Sequence, residues 1–369
     1  MGEKGQLPRT SWRAALLRLG PTQRALVAGF ALGAAVALLL LHILGTTPPH
    51  PYGSPALVEL ARYVQGVARY PVTAALFERV PAAVLAQQLA GADICAGCSH
   101  KADDTADVEW RRRFLSSALR HDNVSAAVAL PHREPPETVH AMSRGGGFVA
   151  GGLYEADWIT SAIEWVTRLP FDSARRSVLD FGGSSGRVVR VLHAAFPKNS
   201  YALCDPLAAS IEWAAANVAG VNAFVSPQEP PLKLEARSLD LVYAISIWSH
   251  YGEHLAHAWL AEMARLLRRG GHLYLTTHGY QALRHYSAGR QIPAKDIRTS
   301  ALDLNTRGHH FHQYFGPNGD WGVVNPDWGH AYISPAWMEA AARRYGFKPA
   351  YFCVGCEQDN QDIWVLQRL

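Results

Sequence analysis

The stretch VLDFGGSSGR, residues 178–187, decides the fold of this 369-residue chain. Val178 and Leu179 end an apolar run and Asp180 follows. Gly182, Gly183, Ser184, Ser185 and Gly186 then make a turn of small residues before RVVRVLHAAF, which reads as a helix. Strand, glycine turn and helix in that order form a nucleotide-binding crossover, because a turn without side chains lets a ligand touch the backbone at a helix N-terminus. A second strand, NSYALCD, ends at Asp205, 23 positions after Gly182, where a carboxylate can accept both hydroxyls of a ribose. These features predict a site for a nucleoside-containing cofactor.

The elements of an α/β sheet follow in sequence. SIEWAAANV (210–218) reads as a helix and VNAFVS as a third strand. SLDLVYAISIW (238–248) is a nearly unbroken apolar run, as a parallel strand covered on both faces requires. Leu255, Trp259, Met263, Leu266 and Leu267 fall near helical spacing. Arg268 and Arg269 suit the C-terminal dipole of that helix, and Gly270-Gly271 are expected to end it. HLYLTTHG (272–279) is the fifth strand. Ser334-Pro335 opens a further helix that Gly346 ends, and KPAYFCVG and QDIWVLQRL supply two final strands.

The turn reads D-x-G-x-S-x-G, with an acid two positions before the first glycine, whereas a nicotinamide site reads G-x-G-x-x-G directly after the strand. This spacing resembles the first motif of the class I S-adenosylmethionine-dependent methyltransferases, usually D/E-x-G-x-G-x-G, with Ser184 in place of the middle glycine. LLRRGGHLYLTTHG is similar to that family's L-x-P-G-G-x-L segment, with arginine where proline is common. The resemblance covers roughly 150–369. It implies a Rossmann-like, seven-stranded, mostly parallel sheet with helices on both faces, the last strand inserted antiparallel beside the fifth.

The same resemblance implies S-adenosyl-L-methionine as cofactor, held by Asp180, Gly182, Gly183, Ser184, Gly186, Asp205, Pro206 and Ser246. Asp180 would orient the loop or reach the cofactor's ammonium through water. Ser226 stands where many members place an acid that accepts from the adenine amino group. Ser184 and Ser226 keep a second reading open, a noncatalytic cofactor-binding or scaffold protein at the membrane. A nicotinamide oxidoreductase is the weaker alternative, given the loop spacing and the order of the C-terminal strands.

Methyl transfer is an in-line displacement on a sulfonium, so positioning carries much of the work and a base helps when the acceptor is a hydroxyl. The acceptor is expected beyond the C-terminal ends of strands four and five. His250 and His278 stand at those two places and are the candidate catalytic residues, since imidazole titrates near neutrality. His257, turned away from the apolar stripe of its helix, is expected in solvent. Residues 280–333 are too long for an idle loop and carry Arg284, His285, Tyr286, Arg298, Arg307, His309, His310, His312, Trp321 and Trp328. That mixture suits a saccharide, a lipid-linked or another small hydroxylated acceptor, with Trp faces on apolar sugar edges. An insertion packed over the sheet edge is the plainer alternative. No carboxylate of suitable spacing accompanies the three clustered histidines, so no metal is expected there.

Residues 25–44, ALVAGFALGAAVALLLLHIL, carry no charge over twenty positions. As a helix at ~1.5 Å per residue they match a hydrocarbon core of ~30 Å, and a Pro-rich linker at 45–54 follows them. The expectation is a retained single-pass anchor, in which Gly29 and Gly33 offer a surface for packing two helices into a homodimer. Lys4, Arg9, Arg13, Arg18 and Arg24 against Glu3 in the flank 1–24 account for the whole formal net charge of +4. The rest of the chain balances at zero, which together with the absence of an N-P-P-Y motif disfavours nucleic-acid partners. The positive-inside rule sends the catalytic domain away from the cytosol, where the methyl donor is made. The side of the membrane stays open.

Residues 55–150 read as a helical cap with amphipathic runs at 55–70, 71–90 and 107–129, and 151–369 as the catalytic domain. RGGGFVAGG (144–152) reads as a backbone lid over the cofactor or an interdomain hinge. Two C-x-x-C pairs, Cys95/Cys98 and Cys353/Cys356, suit a zinc site built from two knuckles, disulfides, or packed thiols. Cys204, at the end of a strand, reads as a small core residue.

Overall fold

A computed structural model describes residues 70–136, 139, 148–289, 294–313 and 323–369, all within the unit Pro51–Leu369. The apolar run 25–44, its basic flank and Trp321 lie outside the described residues. Among the described residues no helix is long and apolar enough to cross a membrane.

Among the described residues, nine strands and eleven α-helices follow one another in chain order. The central sheet holds β1 (Ser177–Phe181), β2 (Ser200–Asp205), β3 (Val221–Val225), β4 (Leu239–Ala244), β5 (Leu267–His278), β8 (Phe347–Glu357) and β9 (Gln361–Arg368). Their order is β3-β2-β1-β4-β5-β9-β8, parallel except that β9 runs antiparallel between β5 and β8. The seven-stranded sheet and the antiparallel insertion expected from the sequence are both present.

Alternating residues of each strand feed two apolar cores, which explains why β1 and β4 are apolar on both faces. On one face Val178, Leu241, Tyr243 and Tyr274 pack under α5 (Phe148–Thr167), α6 (Val189–Ala195) and α7 (Ala208–Asn217). On the other, Leu179, Phe181, Val242 and Leu273 pack under α8 (Glu253–Leu266) and α11 (Pro335–Arg344). Leu255, Trp259, Met263 and Leu266 are buried along α8 as their spacing predicts, with the Trp259 ring 4.6 Å from that of Phe181.

The short helices α1 (Pro71–Phe77), α2 (Ala82–Leu89), α3 (Val108–Ala118) and α4 (Asp122–Val128) precede α5. Buried Asp157 of α5 accepts the backbone amides of Val72 and Thr73 at 2.9 and 3.0 Å and a guanidinium bond from Arg112 at 2.9 Å. One carboxylate thereby ties α1 and α3 to α5. Gly151 and Gly152 lie inside α5, so the described part of the expected glycine lid is helix. Its role is close packing, because a Cβ on Gly152 would meet the Arg187 carbonyl at 2.5 Å.

Three further expectations are corrected. The helix at 253 ends at Leu266 rather than at the glycines, since Leu267 already pairs with Leu239 of β4 and 267–271 belong to β5, where a bulge against β4 absorbs Gly270-Gly271. The fourth strand stops at Ala244: Ser246, at φ +56°, turns the chain away and its amide donates to Thr276 Oγ1 at 2.8 Å. His257 is half-buried, its ring 4.6 Å from that of Trp337, because α11 covers that side of α8.

The 280–333 insertion contains α9 (Tyr280–Ala288), α10 (Ala294–Thr306) and the hairpin β6 (His309–His312) with β7 (His330–Ile333). Each C-x-x-C closes on itself as a disulfide, Cys95–Cys98 and Cys353–Cys356, and Cys204 is a buried free thiol. The two knuckles therefore do not combine into one tetrahedral site. No cluster among the described residues is suited to a metal ion; His310 Nδ1 instead meets Asp303 at 2.7 Å.

Candidate active site

The glycine turn between β1 and α6 opens onto two adjoining cavities at the C-terminal edge of the sheet. The backbone amides of Gly182 and Gly183 both donate to the Cys204 carbonyl, at 2.9 and 3.2 Å, so the turn is pinned to the end of β2. Ser184 stands at φ +50°, a left-handed conformation that costs a non-glycine residue ~1 kcal/mol, which is the physical reason for the family's usual glycine here. The strain is held by Asp205, whose Oδ2 accepts the Ser184 amide at 2.8 Å while Oδ1 accepts the Leu207 amide at 2.9 Å. Burial pushes the Asp205 carboxyl up to about 6, against the pull of those two amides.

The first cavity is lined by Gly182, Ser184, Asp205, Pro206, Leu207, Ser226, Gln228, Ile247, Tyr251 and Trp328. The second, about 1680 Å³ and open to solvent, shares Gly182, Ser184 and Ile247. It adds Asp180, Gly183, Glu155, Arg187, Ser246, His250, His278, Tyr286, His330, Glu357, Asn360 and Gln361. Nine of the ten residues predicted from sequence therefore border one or both cavities. Gly186 does not: it faces Val189 and Leu203, inside the packing of the turn on β2.

Asp180 is buried and its Oδ2 makes no hydrogen bond. Burial raises its carboxyl to about 7, opposed by the Tyr243 hydroxyl and Arg187. Arg187, directly after the turn, pairs with buried Glu155 of α5 at 2.7 Å. Glu357, at the end of β8, is raised to about 8 by burial and by Glu155, with Arg187 opposing. Ser246 Oγ accepts from Gln361 Nε2 at 2.6 Å, joining the ends of β4 and β9.

Both candidate histidines reach the second cavity, in different states. His250 Nδ1 lies 2.7 Å from the Gly329 carbonyl; a carbonyl only accepts, so Nδ1 carries the proton and Nε2 has the lone pair. The His278 ring stacks on His330 at 4.5 Å between centroids. The Asn360 amide donates to the Tyr286 hydroxyl at 3.2 Å, and that hydroxyl lies 3.2 Å from His278 Nε2, so this nitrogen is engaged. Burial lowers all three imidazoles, His330 to about 3 and His278 well below 6.5, so they are neutral at physiological pH. Glu155, Arg187, Glu357, Asn360 and Gln361 were not singled out in the sequence. Arg187 ends the stretch 178–187 and Gln361 opens the last strand, but neither was read as a site residue, and four of the five come from α5 and the β8–β9 hairpin, which only the fold brings to the turn.

The arrangement fits a nucleoside with a cationic, amino-acid-like tail. The turn offers backbone without Cβ atoms at Gly182 and Gly183, Leu207, Ile247 and Tyr251 wall an apolar compartment, and the buried Asp180 carboxyl borders the adjoining cavity. A family model described as a methyltransferase domain matches residues 154–350, more than half of the chain. Comparison with curated proteins finds no match. Among solved structures, the chain is similar to an S-adenosylmethionine-dependent methyltransferase from Methanosarcina mazei, at 17% identity over 53% of this chain and 93% of that one, with a TM-score of 0.37. It is also similar to a magnesium protoporphyrin IX methyltransferase from Synechocystis with bound S-adenosylhomocysteine, at 13% identity over 63% and 91%, TM-score 0.41. A third similar structure is a methyltransferase from Mesorhizobium loti, at 16% identity over 58% and 98%, TM-score 0.39. The family match, covering the glycine turn and the strands around it, carries the assignment: the chain belongs to the class I S-adenosylmethionine-dependent methyltransferases, and S-adenosyl-L-methionine is its cofactor.

Proposed function

We propose that this methyltransferase acts on the hydroxyl of a saccharide, a lipid-linked or another small polyhydroxylated acceptor, with His250 taking the hydroxyl proton. The single observation that carries this reading is a neutral imidazole with its Nε2 lone pair unengaged by the Gly329 contact, bordering the cavity that also contains the glycine turn. Bound S-adenosyl-L-methionine supplies an electrophilic methyl on a sulfonium. Asp205, with a lone pair left on each oxygen, would accept from the ribose hydroxyls, and Pro206 and Ser226 would border the base. Asp180 would face the ammonium of the tail, and Gly182, Gly183 and Ser184 would lie against it.

His278 suits a positioning role better than proton transfer, since its Nε2 is engaged by the Tyr286 hydroxyl. Tyr286, Asn360 and Trp328 supply the aromatic and polar edges that a polyhydroxylated ligand needs. The test is transfer of labelled methyl to panels of glycans and lipids. His250→Ala should lower kcat by about 10²- to 10⁴-fold, the usual contribution of a general base, with affinity for S-adenosylhomocysteine retained. Retained kcat would remove His250 from the reaction.

The apolar run 25–44 supports a membrane anchor, with Gly29 and Gly33 as its self-association face. The two local disulfides support a catalytic domain in an oxidising lumen. Resistance to alkaline extraction from membranes, and protection of the folded domain from protease added outside sealed vesicles, are the expected results.

A further inference from the structure

Among the described residues, the second cavity is lined by three carboxyls and a single guanidinium. Asp180, Glu155 and Glu357 line it, and Arg187 is engaged by Glu155 at 2.7 Å. Glu357 is only 4% exposed, and its Oε1 makes no hydrogen bond. The groups around it are Tyr154 and Glu155 from α5, Arg187 from the turn, Tyr274 from β5 and its neighbour Gln358. Tyr154 and Tyr274 are themselves raised, so neither supplies charge near neutrality. His250, His278 and His330 border the same cavity as neutral rings.

We propose that Glu357 selects the charged methyl donor over its product by exchanging a proton for the donor's positive charge. The inference rests on the donor occupying this cavity. A buried carboxyl without a cation holds its proton; a positive charge entering beside it favours the carboxylate, and the proton leaves to solvent. After transfer the sulfur is neutral, the carboxylate has lost its counter-charge, and Glu357 recovers a proton from solvent. No bond is made to Glu357, and the proton balance over the cycle is zero. The device weakens product binding relative to donor binding at the moment when the product must depart.

Burial and Glu155 set the free carboxyl near 8, so at pH 7 the proton is present to be released. Below that value donor affinity should rise with pH by up to about tenfold per pH unit, as expected when binding expels one proton, whereas product affinity should not. Glu155, also raised by burial, and Asp180, raised to about 7, are the other carboxyls able to contribute, and Asp180 has its own control.

The experiment is calorimetry of the full chain in detergent with S-adenosylmethionine and S-adenosylhomocysteine, at pH 7, in phosphate and in Tris. The expected result is proton release with the first ligand that exceeds release with the second. Glu357→Gln should remove most of the difference and reduce the donor-to-product affinity ratio, while Asp180→Asn should leave part of it. Equal proton exchange for both ligands in the wild-type protein would overturn the proposal without any variant, and so would undiminished release in folded Glu357→Gln. Failure of both ligands to bind the folded wild-type protein would overturn the donor site itself and this inference with it.

Discussion

The carboxylate of Asp205 accepts the backbone amide of Ser184 at 2.8 Å, joining the end of β2 to the middle of the glycine turn. Its second oxygen accepts the Leu207 amide and so fixes the approach to α7. The acid that sequence reading assigned to ribose thus also shapes the turn against which the donor would lie. Asp205→Ala leaves a buried amide unsatisfied at a cost of ~1–3 kcal/mol and removes the ribose acceptor as well. Binding of S-adenosylhomocysteine, followed by calorimetry, should weaken by more than about tenfold. Unchanged affinity would contradict the placement.

Ser184 pays for its left-handed backbone and receives only a 3.4 Å contact to Ser210 Oγ in return. Ser184→Gly relieves that strain and keeps the amide that Asp205 holds. The variant should bind S-adenosylhomocysteine at least as tightly as wild type, with thermal stability changed by no more than ~1 kcal/mol. A large loss of affinity would give the Ser184 hydroxyl a direct role in binding.

Gly183 is different, because its missing side chain is required by its neighbours. A Cβ there would collide with the Asp180 carboxyl and with Leu203. Gly183→Ala should shift both the turn and Asp180, lowering the unfolding free energy by ~1–3 kcal/mol and weakening donor binding. Denaturant melts and calorimetry read the two effects separately; a stable variant with wild-type affinity would show that the turn tolerates a side chain.

Asp362 gives a pH-dependent stability with a defined sign. It is buried, accepts the Gly355 amide at 2.9 Å, and burial raises its carboxyl to about 7 despite that bond. The unfolded value is about 3.9, so the contribution to stability is full below about pH 4 and is lost as pH rises toward 7. Asp362→Asn keeps an oxygen for Gly355 and removes the charge. Its melting temperature relative to wild type should therefore be higher at pH 8 than at pH 5. The reverse order would mean that a cation compensates Asp362.

The sheet was legible because each strand is read locally: D-x-G at 180–182, the apolar run from Leu239, and QDIWVL at the end all carry their own pattern. The turn residues and Asp205 were legible for the same reason. Glu155, Arg187 and Glu357 were not, since their meaning lies in burial beside one another, across 202 positions from Glu155 to Glu357. His250 and His278 were equal in sequence, and only their partners, Gly329 for one and Tyr286 for the other, separate an imidazole with a free Nε2 from one whose Nε2 is engaged. The glycines at 270–271 misplaced a helix end because the pairing of Leu267 with Leu239 is long-range.

The central claim is that the turn at 178–187 holds a methyl donor. It is tested most directly by calorimetry of the full chain in detergent with S-adenosylhomocysteine and, separately, with NAD. The account predicts saturable binding of S-adenosylhomocysteine, lost in Asp205→Ala, and no heat of binding with NAD. Binding of NAD, or of neither ligand by the folded protein, would contradict it.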